Sequence, residues 1–163
     1  MQFNGQIQSL SQEIKLLITV FIIVLSIGFY TGLLFVNETS SATPNGIQEN
    51  YIGNENDDDA ETMKFKKSER EMLSIVHSHI LSMAMIFFFV GLLVSITSLK
   101  RSFKIFLMLE PFFSVLLTFG GIYLLWKGVL WMKYIIMFSG GLMTLSFTIA
   151  VLLILKELYR KQV

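Results

Sequence analysis

The stretch SEREMLSIVHSHILSMAMIFFFVGLLVSIT, residues 68–97, opens with a helix-start signal and runs on as a membrane span. Ser68 followed three residues later by Glu71 is the pattern in which each side chain satisfies a free backbone N–H of the first turn. From Met72 to Leu99 there is no Asp, Glu, Lys or Arg, and about 20 apolar residues suffice to cross a bilayer. The chain's two histidines, His77 and His79, fall inside this run. At about 1.5 Å per residue they lie roughly 6–10 Å below its start. Ionisable side chains at that depth are costly in lipid and mark candidate functional positions.

The rest of the chain has the same character. Of 163 residues, 53% are hydrophobic and 15% charged, and the mean hydropathy is +0.63. Soluble domains are nearer one quarter charged, so the composition is that of a membrane protein. A net charge of +1 gives no reason to expect nucleic acid as a partner. The absence of cysteine excludes disulfides, thiolate metal sites, iron–sulfur clusters and covalent haem attachment within the chain.

Working outward, residues 16–36 form a first span and residues 68–99 a second, with spans at 105–126 and 131–155 following. The length of 16–36 argues against a cleaved signal peptide. Gly28 and Gly32 make a step on which another helix could approach closely. Residues 1–15 carry Phe3, Ile7, Leu10 and Ile14 at helical spacing, which suits an interfacial helix and an unpacked tail equally. Residues 37–67 read as one long acidic loop without strong periodicity, long enough to carry partner contacts. Its Asn54-to-Asp59 run misses the calcium-loop pattern, because Asp59 stands where the sharp turn needs glycine. Residues 100–104 form a basic turn, 127–130 a short turn and 156–163 a basic tail.

These features predict an all-α integral membrane protein, a four-transmembrane-helix bundle. Lys100, Arg101, Lys104, Lys156, Arg160 and Lys161 all fall on one side of it. The preference of basic residues for the cytoplasm puts both termini there and the acidic loop outside, in a plasma or inner membrane. The lipid bilayer and either a homo-oligomer or a larger membrane complex are the expected partners.

Residues two apart on a helix point about 200° away from each other, so His77 and His79 cannot ligate one metal from a regular helix. His77 shares its face with Ser74, Leu81, Ala84, Phe88 and Gly91, small residues among them, and this face is expected to pack inside. His79 shares its face with Met72, Val76, Met83, Ile86 and Val90. Such a pair suits two separate centres, or one centre plus a hydrogen bond. It also suits a symmetric dimer in which each copy supplies one axial ligand.

Residues 76–83, Val-His-Ser-His-Ile-Leu-Ser-Met, resemble the helix of haem–copper oxidase subunit I that carries H-x-H followed by Leu-Ser-Met. In that family the two histidines ligate two separate haems. The resemblance makes His77 the counterpart of the high-spin and His79 that of the low-spin haem ligand. Here Leu-Ser-Met follows one residue sooner and the family's other histidine ligands are absent, so the likeness is one of use and not of membership. For a single haem b, or a metal at His77 and His79, Met132 and Met137 are the further ligand candidates by depth, and Tyr134, with Tyr30 and Tyr123, the hydrogen-bond donors. Glu110, followed by Pro111, is a proton-path candidate, with Ser114, Thr118, Ser139 and Thr144 between it and the histidines. Its plainer reading is a carboxylate paired with Lys104 or Lys100. No nucleophile–base or phosphate-loop motif points to hydrolase or kinase chemistry.

The resulting expectation is a small multi-pass membrane protein whose histidine pair holds a b-type haem or metal for electron transfer or redox sensing. The alternative is a non-catalytic accessory or scaffold subunit of a larger membrane complex.

Overall fold

The computed structural model describes residues 6–40, 43–55, 60 and 62–160. Phe3, the acidic run from Asn56 to Asp59 and Lys161 lie outside the described residues. A short 3-10 turn, Gln6–Ser9, leads into α1, Gln12–Ser40. Helix α2, Pro44–Ile52, follows, and then α3, Glu69–Ser95. The third span is α4, Arg101–Val115, a π turn, Leu116–Gly120, and α5, Gly121–Trp126. Helix α6, Met132–Leu158, closes the chain. The described residues contain no strand. Four segments are long and apolar enough to cross a membrane: Gln12–Thr39, Glu69–Ser95, Arg101–Trp126 and Met132–Leu158. The protein is an all-α integral membrane protein.

Helix α3 starts where Ser68 and Glu71 cap it. The Glu71 N–H donates to Ser68 Oγ at 3.3 Å, and the Ser68 N–H to Glu71 Oε2 at 2.8 Å. Helix α6 is the axis of the bundle and packs against every other helix. Its buried stripe, including Met132, Ile136, Met143, Phe147, Ala150 and Ile154, recurs at three- and four-residue steps. Helix α1 is peripheral, held by a few contacts. Phe29 stacks on Phe147 with ring centroids 4.0 Å apart, and the hydroxyls of Tyr30 and Thr148 lie 2.7 Å apart. A Cβ added at Gly28 or Gly32 would meet nothing within 4 Å. Among the described residues that glycine step is therefore not used for packing.

Two expected loop segments are helical. Within 37–67, α1 extends to Ser40 and α2 forms two turns over the Trp126 end of the bundle. The reason is local. Thr43 accepts a hydrogen bond from the Gly46 N–H at 3.0 Å, Pro44 occupies the first turn, and Ile47 is buried. At Gly53, φ is +90°, and a Cβ would stand 2.8 Å from Lys64 O and Lys66 N. Only glycine lets the chain turn back so tightly. Asn54 then clips the returning segment, accepting from the Lys64 N–H at 2.6 Å and donating to Thr62 O at 3.0 Å. The Trp126 indole donates to Lys67 O at 2.8 Å, fixing this cap on the third span.

The second departure is the basic turn at 100–104, most of which is the first turn of α4. The Lys104 ammonium is buried and donates to Ser95 O at 3.0 Å and Thr97 O at 2.7 Å. It thereby satisfies carbonyls that the end of α3 leaves without helical partners.

Candidate functional site

Three polar clusters interrupt the apolar bundle. On α3 the buried residues are Met72, Phe87, Val90, Gly91 and Val94. Ser74, His77, Ser78, Leu81, Ser82 and Phe88 are exposed. The face expected to pack inside is thus divided: Gly91 is buried, with Met108 Cα 3.9 Å from where its Cβ would stand, whereas Ser74, His77, Leu81 and Phe88 point out of the bundle. Large side chains, led by Phe87, fill the seam against α4 and α6. Ser78 and Ser82 turn their hydroxyls back onto Ser74 O and Ser78 O, each at 2.7 Å. His77 makes no hydrogen bond to any described residue.

His79 lies at the edge of the packed face, its ring centroid 4.8 Å from that of Phe119 on the π turn. Its Nδ1 donates to Ile75 O at 2.8 Å. In the neutral ring this fixes the tautomer and leaves Nε2 as a lone-pair donor. Met137 and Tyr134 are exposed on α6, and neither meets a histidine in a hydrogen bond or ring contact. An apolar groove of about 440 Å³, lined in part by Leu73, Val76, Leu116, Tyr123 and Met132, runs beside α3; neither histidine lines it. Among the described residues no cluster of three or more His, Asp or Glu side chains could hold a metal ion. Neither the apolar groove nor the polar pocket beside α2 is lined by His77, His79, Met137 or Tyr134.

The second cluster runs along α4 and the π turn and reaches α6 at Ser139. Glu110 is buried, its Oε1 accepts from the Ser114 hydroxyl, and its Oε2 is buried without a partner among the described residues. One helical step further, the Thr118 and Ser139 hydroxyls meet at 2.7 Å, both buried. Ser146 is buried on the same stripe of α6. Thr144 bonds its own helix at Gly140 O, 2.9 Å away, and stands apart from this seam. No ion pair among the described residues includes Glu110, so the pairing with Lys104 or Lys100 is not formed. Lys104 instead caps α3.

The third cluster was not expected from the sequence. Glu157 is only 5% exposed. It accepts from the Ser98 hydroxyl, the Ser98 N–H at 3.3 Å, Gln8 Nε2 at 3.1 Å and Arg160 Nη1 at 3.1 Å. It ties the N-terminal turn, the α3–α4 connection and the end of α6 together, and Ile7 N donates to Ile96 O at 3.2 Å beside it. The signal in the sequence is phase: Glu157 continues the Ala150, Ile154 stripe of α6 although it stands beside the basic residues of the tail.

The fold and its buried polar contacts define a four-span membrane protein with a helical cap at one end. Residues 41–163 match the family model Aq_1264_TM, a transmembrane helical domain, and the chain belongs to that family. The match takes in α2 to α6 and leaves out α1, the peripheral span. No curated protein and no solved structure matches the chain.

Proposed function

We propose that this protein is a non-catalytic subunit of a larger membrane complex, docked to another membrane-spanning chain through the outward face of α3. The observation that carries this reading is His77, exposed and without a hydrogen bond in the apolar part of a span. Polar side chains in membrane helices almost always face a bundle interior or a cavity, because lipid offers them no partner. A neighbouring helix with a hydroxyl, carbonyl or carboxyl acceptor would supply it. Ser74, Ser78 and Ser82 leave room on that face for close approach. The orientation that goes with this reading has both termini in the cytoplasm and the α2 cap outside, in a plasma or inner membrane.

The test is cross-linking in native membranes. The chain has no cysteine, so a Ser78→Cys variant carries a single attachment point for a photoactivatable reagent. Adducts to a second copy or another spanning subunit are expected from this position and not from Leu152→Cys, an exposed site on α6. Adducts to lipid alone from both positions contradict the reading.

A second reading is favoured by the free Nε2 of His79. A ring whose Nδ1 is held by a carbonyl is the usual setting of a metal-ligating imidazole. In this reading a b-type haem sits against α3 at the same interface, with a partner helix supplying the second ligand. A reduced-minus-oxidised visible spectrum with b-type bands that vanish in a His77→Ala/His79→Ala variant supports it; a colourless complex from haem-replete cells removes it.

A further inference from the structure

We propose that Glu110 is a proton-binding site inside the bilayer, built into α4 and separate from the outward face of α3. Three observations converge. The carboxyl is nine-tenths buried on a spanning helix, six residues deeper than Lys104, or about 9 Å along the axis. Its two oxygens are inequivalent: Oε1 accepts from Ser114, whereas Oε2 has no partner among the described residues. No cation among the described residues pairs with it.

An isolated carboxylate in so apolar a setting is costly, and neutralisation is the usual escape. The orphan oxygen is where a proton attaches: the carboxylate takes up one proton on Oε2 and returns it, and no other bond changes. The local backbone suits such a site. Pro111 has no N–H to give to the carbonyl of Leu107, and a π turn follows at Leu116–Gly120. Turns of that kind recur at functional sites. The buried hydroxyls of Ser114, Thr118 and Ser139 continue the polar line along the span to the level of the π turn, where Phe119 meets His79.

Dicyclohexylcarbodiimide, which adds to protonated carboxyls in apolar surroundings, tests this on the full chain reconstituted in vesicles. Peptide mass mapping is expected to find the adduct on Glu110, several-fold above Glu157, whose oxygens are all engaged. The adduct should disappear from that peptide in Glu110→Gln. The primary readout is on the unmodified sequence, so a poorly folded variant does not blunt it. An unlabelled Glu110 overturns the proposal. Protection by sodium chloride but not by choline chloride also overturns it, in favour of a small-cation site.

Discussion

Removing the Glu157 carboxylate should open one end of the bundle while leaving the spans in place. Glu157→Ala strands three donors from two other segments: Gln8 Nε2, the Ser98 N–H and the Ser98 hydroxyl. A fully desolvated donor left without an acceptor costs about 1–3 kcal/mol. Gln8 is half-buried and Ser98 exposed, so the low end applies, about 3 kcal/mol for the group. The Arg160 contact adds little, because that side chain is 61% exposed. At about 1.4 kcal/mol per factor of ten, the local opening constant rises about 100-fold. Hydrogen–deuterium exchange on the detergent-solubilised protein reads this directly. Amides of residues 6–9 and 96–100 should lose protection while the middle of α6 keeps it. Glu157→Gln, which retains one acceptor oxygen, should lose only about 1 kcal/mol. Unchanged protection in the alanine variant, or an equal loss in both variants, would refute the reasoning.

Three further outcomes follow from particular contacts. Phe147→Ala removes the ring on which Phe29 stacks and the edge contacts with Phe87 and Tyr30; it should cost about 3 kcal/mol by cavity formation and raise proteolytic access to α1. Gly53→Ala forces a Cβ to within 2.8 Å of backbone at φ +90°, which should cost about 1–3 kcal/mol and shift Trp126 fluorescence as the α2 cap loosens. The Lys127 pKa is raised above its ordinary value, first by its hydrogen bond to Glu69. A raised folded-state pKa contributes stability that is complete below the unfolded value, about 10.4, and is lost as pH rises through the folded one. Because Lys127 lies 4.6 Å over the Trp126 ring, tryptophan emission should change only in that alkaline window, and Lys127→Gln should abolish the change.

The four spans were legible because membrane crossing demands length and apolarity, and both are written in the sequence. The capped start of α3 was legible for the same reason: the Ser68 and Glu71 side chains act locally. Which face of α3 packs inside was not. In lipid, core-facing and lipid-facing side chains are both apolar, so periodicity does not separate them. Of the residues expected to pack inside with His77, Gly91 is buried beside Phe87, Val90 and Val94, whereas Ser74, Leu81 and Phe88 are exposed. Helix α2 carried a readable signal in Thr43-Pro44, outweighed by the polar character of the surrounding segment. Glu110 stands out from its position, but its burial and unpartnered oxygen depend on the helices that pack against α4, which are long-range contacts. Glu157 was missed because a charge near a basic tail reads as solvated until the α3–α4 connection and Gln8 are folded over it.

The most direct measurement of the account is the particle mass after mild detergent extraction from native membranes, for the unmodified chain and for Ser78→Trp. The unmodified chain should run in a particle heavier than its own 18.6 kDa after subtraction of detergent and lipid. The tryptophan, placed on the outward face of α3, should release it as a monomer with all four spans intact. An 18.6 kDa protein mass in both, or the same larger mass in both, would contradict a partner seated on that face.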